Sequence, residues 1–141
     1  MIKKLLFVLF FFVIFSHSTY VSAEMVNNIE IFDPKQNKVV KVIKANPEIQ
    51  DMITSWITNI DGLYKNDPAT DDGYVVKIPL DPIVKVNCKA FNALVSDVYI
   101  LIPEKEPPCY LIFDDETKLL SLPFNGDIDM LSKVLNFKLR K

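Results

Sequence analysis

Hydrophobic positions recur along this chain with two different periods. In Asn28–Asp33 (NIEIFD) apolar and polar residues alternate, the period of a strand. Pro34–Asn37 carries turn residues, and the β-branched run Lys38–Lys44 (KVVKVIK) reads as the returning strand of a hairpin. The period then changes. Ile49, Met52, Ile53, Trp56, Ile57, Ile60 and Leu63 follow at three- and four-residue spacing, which predicts one apolar stripe on a helix from Pro47 to Leu63. Asn46 suits its N-cap, Pro47 its first position and Glu48 the positive end of its dipole. Gly62 is the expected stop.

Lys65–Gly73 (KNDPATDDG) is a polar loop, after which the strand period returns. Tyr74–Leu80 predicts a strand, and Ile83–Asn87 continues extended beyond Asp81-Pro82. Pro79 and Pro82 cannot donate ladder hydrogen bonds, so this stretch reads as an edge or a bulged bend. Lys89–Ser96 fits either a loop or the lead-in to a strand. Val98–Ile102, Cys109–Phe113 and Lys118–Phe124 then form a meander, joined by Pro103–Pro108 and the turn Asp114–Thr117. Asp127 can cap a last helix in which Ile128, Leu131, Val134 and Leu135 share a face. Together these elements predict an α+β fold: an antiparallel sheet of about five or six strands packed against one amphipathic helix, with a short C-terminal helix.

A third pattern precedes all of these. Lys3 and Lys4 lead into the unbroken apolar run Leu5–Phe15, and Val21-Ser22-Ala23 ends on small residues. That order is a secretory signal peptide of residues 1–23, cleaved after Ala23. The apolar run is shorter than the roughly 20 residues a membrane span needs. The alternative is an uncleaved leader that anchors the domain on the outside of the membrane. Either way, residues 24–141 are read as one extracellular or wall-space domain.

The leader takes the only histidine, His17, with it. A domain without histidine excludes histidine-based serine and cysteine triads, imidazole metal sites and imidazole pH switching. An enzyme is therefore the less favoured class, and no catalytic residue is assigned. Sixteen basic residues less Lys3 and Lys4, against eighteen acids, leave the domain at −4. That balance gives no reason to expect nucleic acid as a partner. With only Gly62, Gly73 and Gly126, no glycine-rich phosphate loop can form, and no cofactor is expected.

Cys88 and Cys109 are the only cysteines. In an oxidising compartment they form a candidate disulfide; two buried free thiols are the alternative. Three acidic groups, Asp67/Asp71/Asp72, Asp114/Asp115/Glu116 and Asp127/Asp129, have calcium-compatible chemistry but no EF-hand spacing. Solvated turns and a helix cap account for them, so no metal ligand is assigned. A carboxylate-based extracellular hydrolase would need two such acids facing each other across a cleft. Glu104, Lys105 and Glu106, framed by Pro103, Pro107 and Pro108, form a candidate interaction loop. Stiffness there protects a plain hairpin loop from proteolysis, and it equally suits a binding protein or a protease inhibitor, because less freedom is lost on docking.

The runs IFDPKQNKVVKV, GYVVKIPLDPIVKV and LIPEKEPPCYLIFDDETKLL resemble small secreted proteins of Gram-positive, spore-forming bacteria. The resemblance implies an exported bacterial protein and carries no active-site residue. The function expected from the sequence is a non-enzymatic extracellular binding module whose partner is a protein or a cell-wall component. Its oligomeric state is left open.

Overall fold

A computed structural model describes residues 27–140. The expected leader, its cleavage point after Ala23 and His17 lie outside the described residues. Six strands form one antiparallel sheet in the order β2-β1-β3-β4-β5-β6. They are β1 (Asn28–Asp33), β2 (Lys38–Lys44), β3 (Tyr74–Asn87), β4 (Asn92–Ile102), β5 (Cys109–Phe113) and β6 (Leu119–Pro123). Helix α1 (Pro47–Ile57) follows the first hairpin, and helix α2 (Ile128–Leu135) follows the meander. The fold is α+β, as the hydrophobic periods indicate.

Helix α1 begins as its sequence dictates. The Asn46 side chain accepts from the Ile49 N–H at 3.0 Å, and Pro47 occupies the first turn. Ile49, Ile53 and Ile57 are fully buried against the sheet. The helix stops at Ile57 rather than at the expected Leu63. Just past that end, the Thr58 hydroxyl donates back to the Thr54 carbonyl at 2.8 Å and Asn59 Nδ2 to the Ser55 carbonyl at 2.6 Å. Such side-chain bonds compete with continued helix. Ile60 still reaches the core, whereas Leu63 is exposed.

The chain then passes round the β6 edge. The Tyr64 N–H donates to the Ser121 carbonyl of β6 at 2.8 Å. Tyr64 packs on the sheet face opposite the helices, against a cluster of Phe32, Val75, Tyr99, Leu101, Cys109 and Leu111. Ala69 and Thr70 are buried on the way back to β3. Gly73 closes this return with φ of 68°, and a Cβ there would strike the Ile102 carbonyl. Only glycine fits both conditions.

On the helix face, Trp56 meets Phe124 edge-on with ring centroids 5.7 Å apart. Asn125 links the two elements: its Nδ2 donates to the Trp56 carbonyl at 2.7 Å and its Oδ1 accepts from the Tyr110 hydroxyl at 2.9 Å. Gly126 lies so close to the Trp56 ring that a Cβ would collide with it. Asp127 caps α2 by accepting from the Met130 N–H at 3.1 Å. At its other end, Lys41 Nζ donates to the Leu135 and Asn136 carbonyls at 3.2 and 2.7 Å, where the helix leaves carbonyls without intrahelical donors.

The proline-rich stretch of β3 satisfies both readings made of it. Lys77 is the last β3 residue paired with β1, so beyond it one side of β3 is an edge. The pairing with β4 is interrupted between Pro79 and Val84. Gln50 of α1 fills the gap on the edge side: its Nε2 donates to the Pro79 carbonyl at 2.6 Å and its Oε1 accepts from the Asp81 N–H at 2.9 Å. A side-chain amide thus stands in for the missing strand. The ambiguous Lys89–Ser96 resolves into a turn followed by the start of β4.

Replacing Gln50 with alanine removes both bonds. The expected loss is about 1–2 kcal/mol of unfolding free energy in urea denaturation, with unchanged far-ultraviolet circular dichroism at room temperature.

Candidate functional site

Residues from three distant parts of the sequence fix the loop that joins β4 to β5. Pro103 follows the last β4 residue, and Pro107 and Pro108 precede Cys109. The Glu104 N–H donates to Asp72 Oδ1 at 3.0 Å. Lys35 Nζ donates to Glu104 Oε1 at 3.0 Å, an ion pair on the surface. Arg140 donates to the Pro103 carbonyl at 3.4 Å and to the Glu106 carbonyl at 3.2 Å. Lys35 is itself presented by a tight turn in which Asp33 Oδ1 accepts from the Lys35 and Gln36 N–H groups, with Asn37 in the left-handed region. The bond from Glu104, and then its charge, raise the Lys35 pKa above the ordinary lysine value. Lys105 and Glu106 stay exposed, with Lys105 between the two held residues. A cavity of about 250 Å³ lies beside the loop, with Tyr74, Ile102, Leu139 and Arg140 among its lining residues.

The candidate interaction loop Glu104–Glu106 is thus a defined surface, and its anchors are what sequence reasoning missed. Lys35, Asp72 and Arg140 lie 69, 32 and 34–37 residues from their partners. No local pattern announces contacts of that separation.

The two cysteines do not meet. Both are free thiols: Cys109 is buried and Cys88 half-buried. Cys109 pairs with Leu101 on β4, whereas Cys88 lies at the β3–β4 turn, its N–H donating to the Phe91 carbonyl beside Asn92. Leu101 and Asn92 stand nine residues apart on one strand, roughly 30 Å. Cys109 also belongs to the cluster on the open face and Cys88 packs on the helix side. A disulfide is therefore replaced by the free-thiol alternative, because bonded Cα atoms must approach within about 7 Å.

The acidic groups likewise do not converge, and several of their members are bound into local structure. Asp114 accepts from the Glu116 and Lys118 N–H groups at 2.9 and 2.8 Å, Asp115 from the Leu94 N–H at 3.0 Å, and Asp127 is a helix cap. Among the described residues no three His, Cys, Asp or Glu side chains gather as a metal ligand set. Among them, too, no helix is long and apolar enough to cross a membrane.

A second polar site was not anticipated. On the sheet face away from the helices, Glu30 of β1 pairs with Lys77 of β3, which pairs with Tyr99 of β4. Glu30 is only 4% exposed. Asp97, opposite Pro79, joins them where the β3–β4 pairing is interrupted. Burial, and then the charges of Asp97 and Glu30, push the Tyr99 phenol well above its ordinary range. Burial raises Asp97 too, against the opposing pull of Lys77 and a long bond from Ser96 Oγ at 3.4 Å. In sequence, Glu30, Lys77 and Asp97 look like the polar half of an alternating strand, which normally faces water.

Comparison with protein-family models, with curated proteins and with solved structures finds no match.

Two outcomes follow from these environments. Burial, and then the Glu106 charge, push the Cys109 thiol up to about 12. A thiol reagent at pH 8 should titrate Cys88 alone in the folded protein and both cysteines in guanidinium. The raised Asp97 pKa means that the folded state holds this proton more tightly than the unfolded chain does. Its favourable contribution is complete below about pH 3.9, the ordinary aspartate value, and is lost as pH rises through the folded value. Asp97→Asn should therefore match the parent in stability in acid and exceed it at neutral pH, as read by urea unfolding across pH 3–8.

Proposed function

We propose that this protein is a secreted, non-enzymatic binding module that presents the Pro103–Pro108 loop to an extracellular protein or a cell-wall component. The observation that carries this reading is the anchoring of the loop by Asp72, Lys35 and Arg140 while Lys105 stays exposed between Glu104 and Glu106. A loop held from both flanks loses little freedom on docking, so more of its contact energy appears as affinity. Its three prolines limit the same freedom from within. The signal-peptide pattern of residues 1–23 supports an encounter outside the cell.

The exposed Lys105 favours one narrower form of the same reading, a protease inhibitor that offers a basic side chain to an acidic specificity pocket. The carboxylate-hydrolase alternative gains no support from the acidic groups, whose capping members already serve backbone N–H groups.

The protein, immobilised and exposed to the extracellular and wall fractions of its source organism, should retain a partner. Lys105→Ala should abolish retention. Arg140→Ala, which leaves every contact residue in place but frees the loop, should weaken it about tenfold with little change in melting temperature. Equal retention by all three proteins, or none by the parent, overturns the proposal. Inhibition of a trypsin-like protease by the parent but not by Lys105→Ala would select the inhibitor form.

A further inference from the structure

Asp97 stands two residues before Tyr99 on β4, so strand alternation puts both on the face that the helices do not cover. Two rows of the sheet meet there. Glu30, Lys77 and Tyr99 lie in one, and Pro79 and Asp97 in the next. Glu30 and Asp97 both act electrostatically on Tyr99, and Lys77 acts on Asp97. Two carboxylates and one ammonium therefore share this half-buried ground, which leaves it with a net charge of −1.

A recess of about 60 Å³ opens beside these groups, lined by Leu94, Ser96, Asp97, Tyr99 and Phe113 among others. A water needs only about 10–15 Å³ of such space, so the recess has room for a group the size of an ammonium. The surroundings are unusually apolar for a surface. Leu94 is 59% exposed, Phe113 40%, and Ile83, in the irregular part of β3, 58%. Asp115 holds the Leu94 backbone from the β5–β6 turn, so one rim of the recess is fixed.

We propose that this recess is a docking site for a lysine side chain of a protein partner. The lysine ammonium would sit on the Asp97 carboxylate, and its methylene stem would lie across Leu94 and Phe113. Charge complementarity selects this occupant, since one incoming positive charge cancels the surplus negative one. The long bond from Ser96 leaves the Asp97 carboxylate with acceptor capacity. Lysine covers apolar surface with its stem while its head keeps a polar partner, which matches a carboxylate ringed by exposed hydrophobic side chains. The Phe113 ring adds a cation–π partner at the mouth. This site is separate from the Pro103–Pro108 loop: Asp97 stands six residues before Pro103, about 20 Å along the strand.

The test is a titration of the labelled protein with the peptide Ac-Ala-Lys-Leu-NH2, followed through its amide NMR spectrum. A second titration uses the same peptide with its lysine side chain acetylated. The lysine peptide should shift the Leu94, Ser96, Asp97, Tyr99 and Phe113 signals. Acetylation, or Asp97→Asn in the protein, should weaken binding about tenfold, the loss of one charge-assisted hydrogen bond. Asp97→Asn is expected to fold, so its spectrum separates lost binding from lost structure. Lys105→Ala should leave the titration unchanged, which keeps this result independent of the loop. Equal affinity for the acetylated peptide, shifts confined to other residues, or no shifts at all overturns the proposal.

Discussion

Side chains alternate along β1, β3, β4 and β5, yet both alternating sets are apolar where these strands lie side by side. Ile29, Ile31, Val76, Ile78, Val98, Ile100 and Ile112 face the helices; Phe32, Val75, Leu101, Cys109 and Leu111 face the other way. An antiparallel sheet commonly leaves one face to water. Here that would expose a second hydrophobic surface, so a chain with little spare length must shield part of the other side too. The rest of the architecture answers this demand. Helix α1 covers one face, and the chain rounds β6 so that Tyr64 packs on the other. Gly73 and Gly126 stand where the covering is tightest, one under the Ile102 carbonyl and one against the Trp56 ring.

Much of this was legible in the sequence because the deciding signals are local. Alternation located the strands, the Asn46-Pro47-Glu48 start located α1, and Asp127 located α2. The end of α1 was not legible. The apolar spacing continues to Leu63, but Thr58 and Asn59 turn their side chains onto the last carbonyls, and the spacing of hydrophobic residues does not register that competition. Nor does any local signal say that Gln50, a half-buried helix residue, supplies the hydrogen bonds β3 lacks beside Pro79.

The candidate sites divide in the same way. The proline-framed loop was visible from its composition, whereas the residues that immobilise it come from a turn, a crossing segment and the chain's last described residue. The cysteine pair shows the opposite case. Compartment and count favoured a bond, but the register of β4 separates the two sulfurs along the strand and across the sheet. The Glu30–Lys77–Asp97 group was hidden because each member occupies an ordinary polar position in an alternating strand. Its chemistry exists only once three strands are laid in register.

The sheet has two outer edges, and each meets the solvent differently. At β6 the edge is occupied in part by the Tyr64 N–H. At β2 the edge carries Lys38, Lys41 and Lys44, evenly spaced. A second molecule adding its β2 antiparallel about Lys41 would set lysine against lysine at all three positions, a repulsive register. That pairing of two copies is therefore disfavoured. A row of lysines on β2 thus works against the growth from molecule to molecule to which a sheet of branched apolar strands is prone.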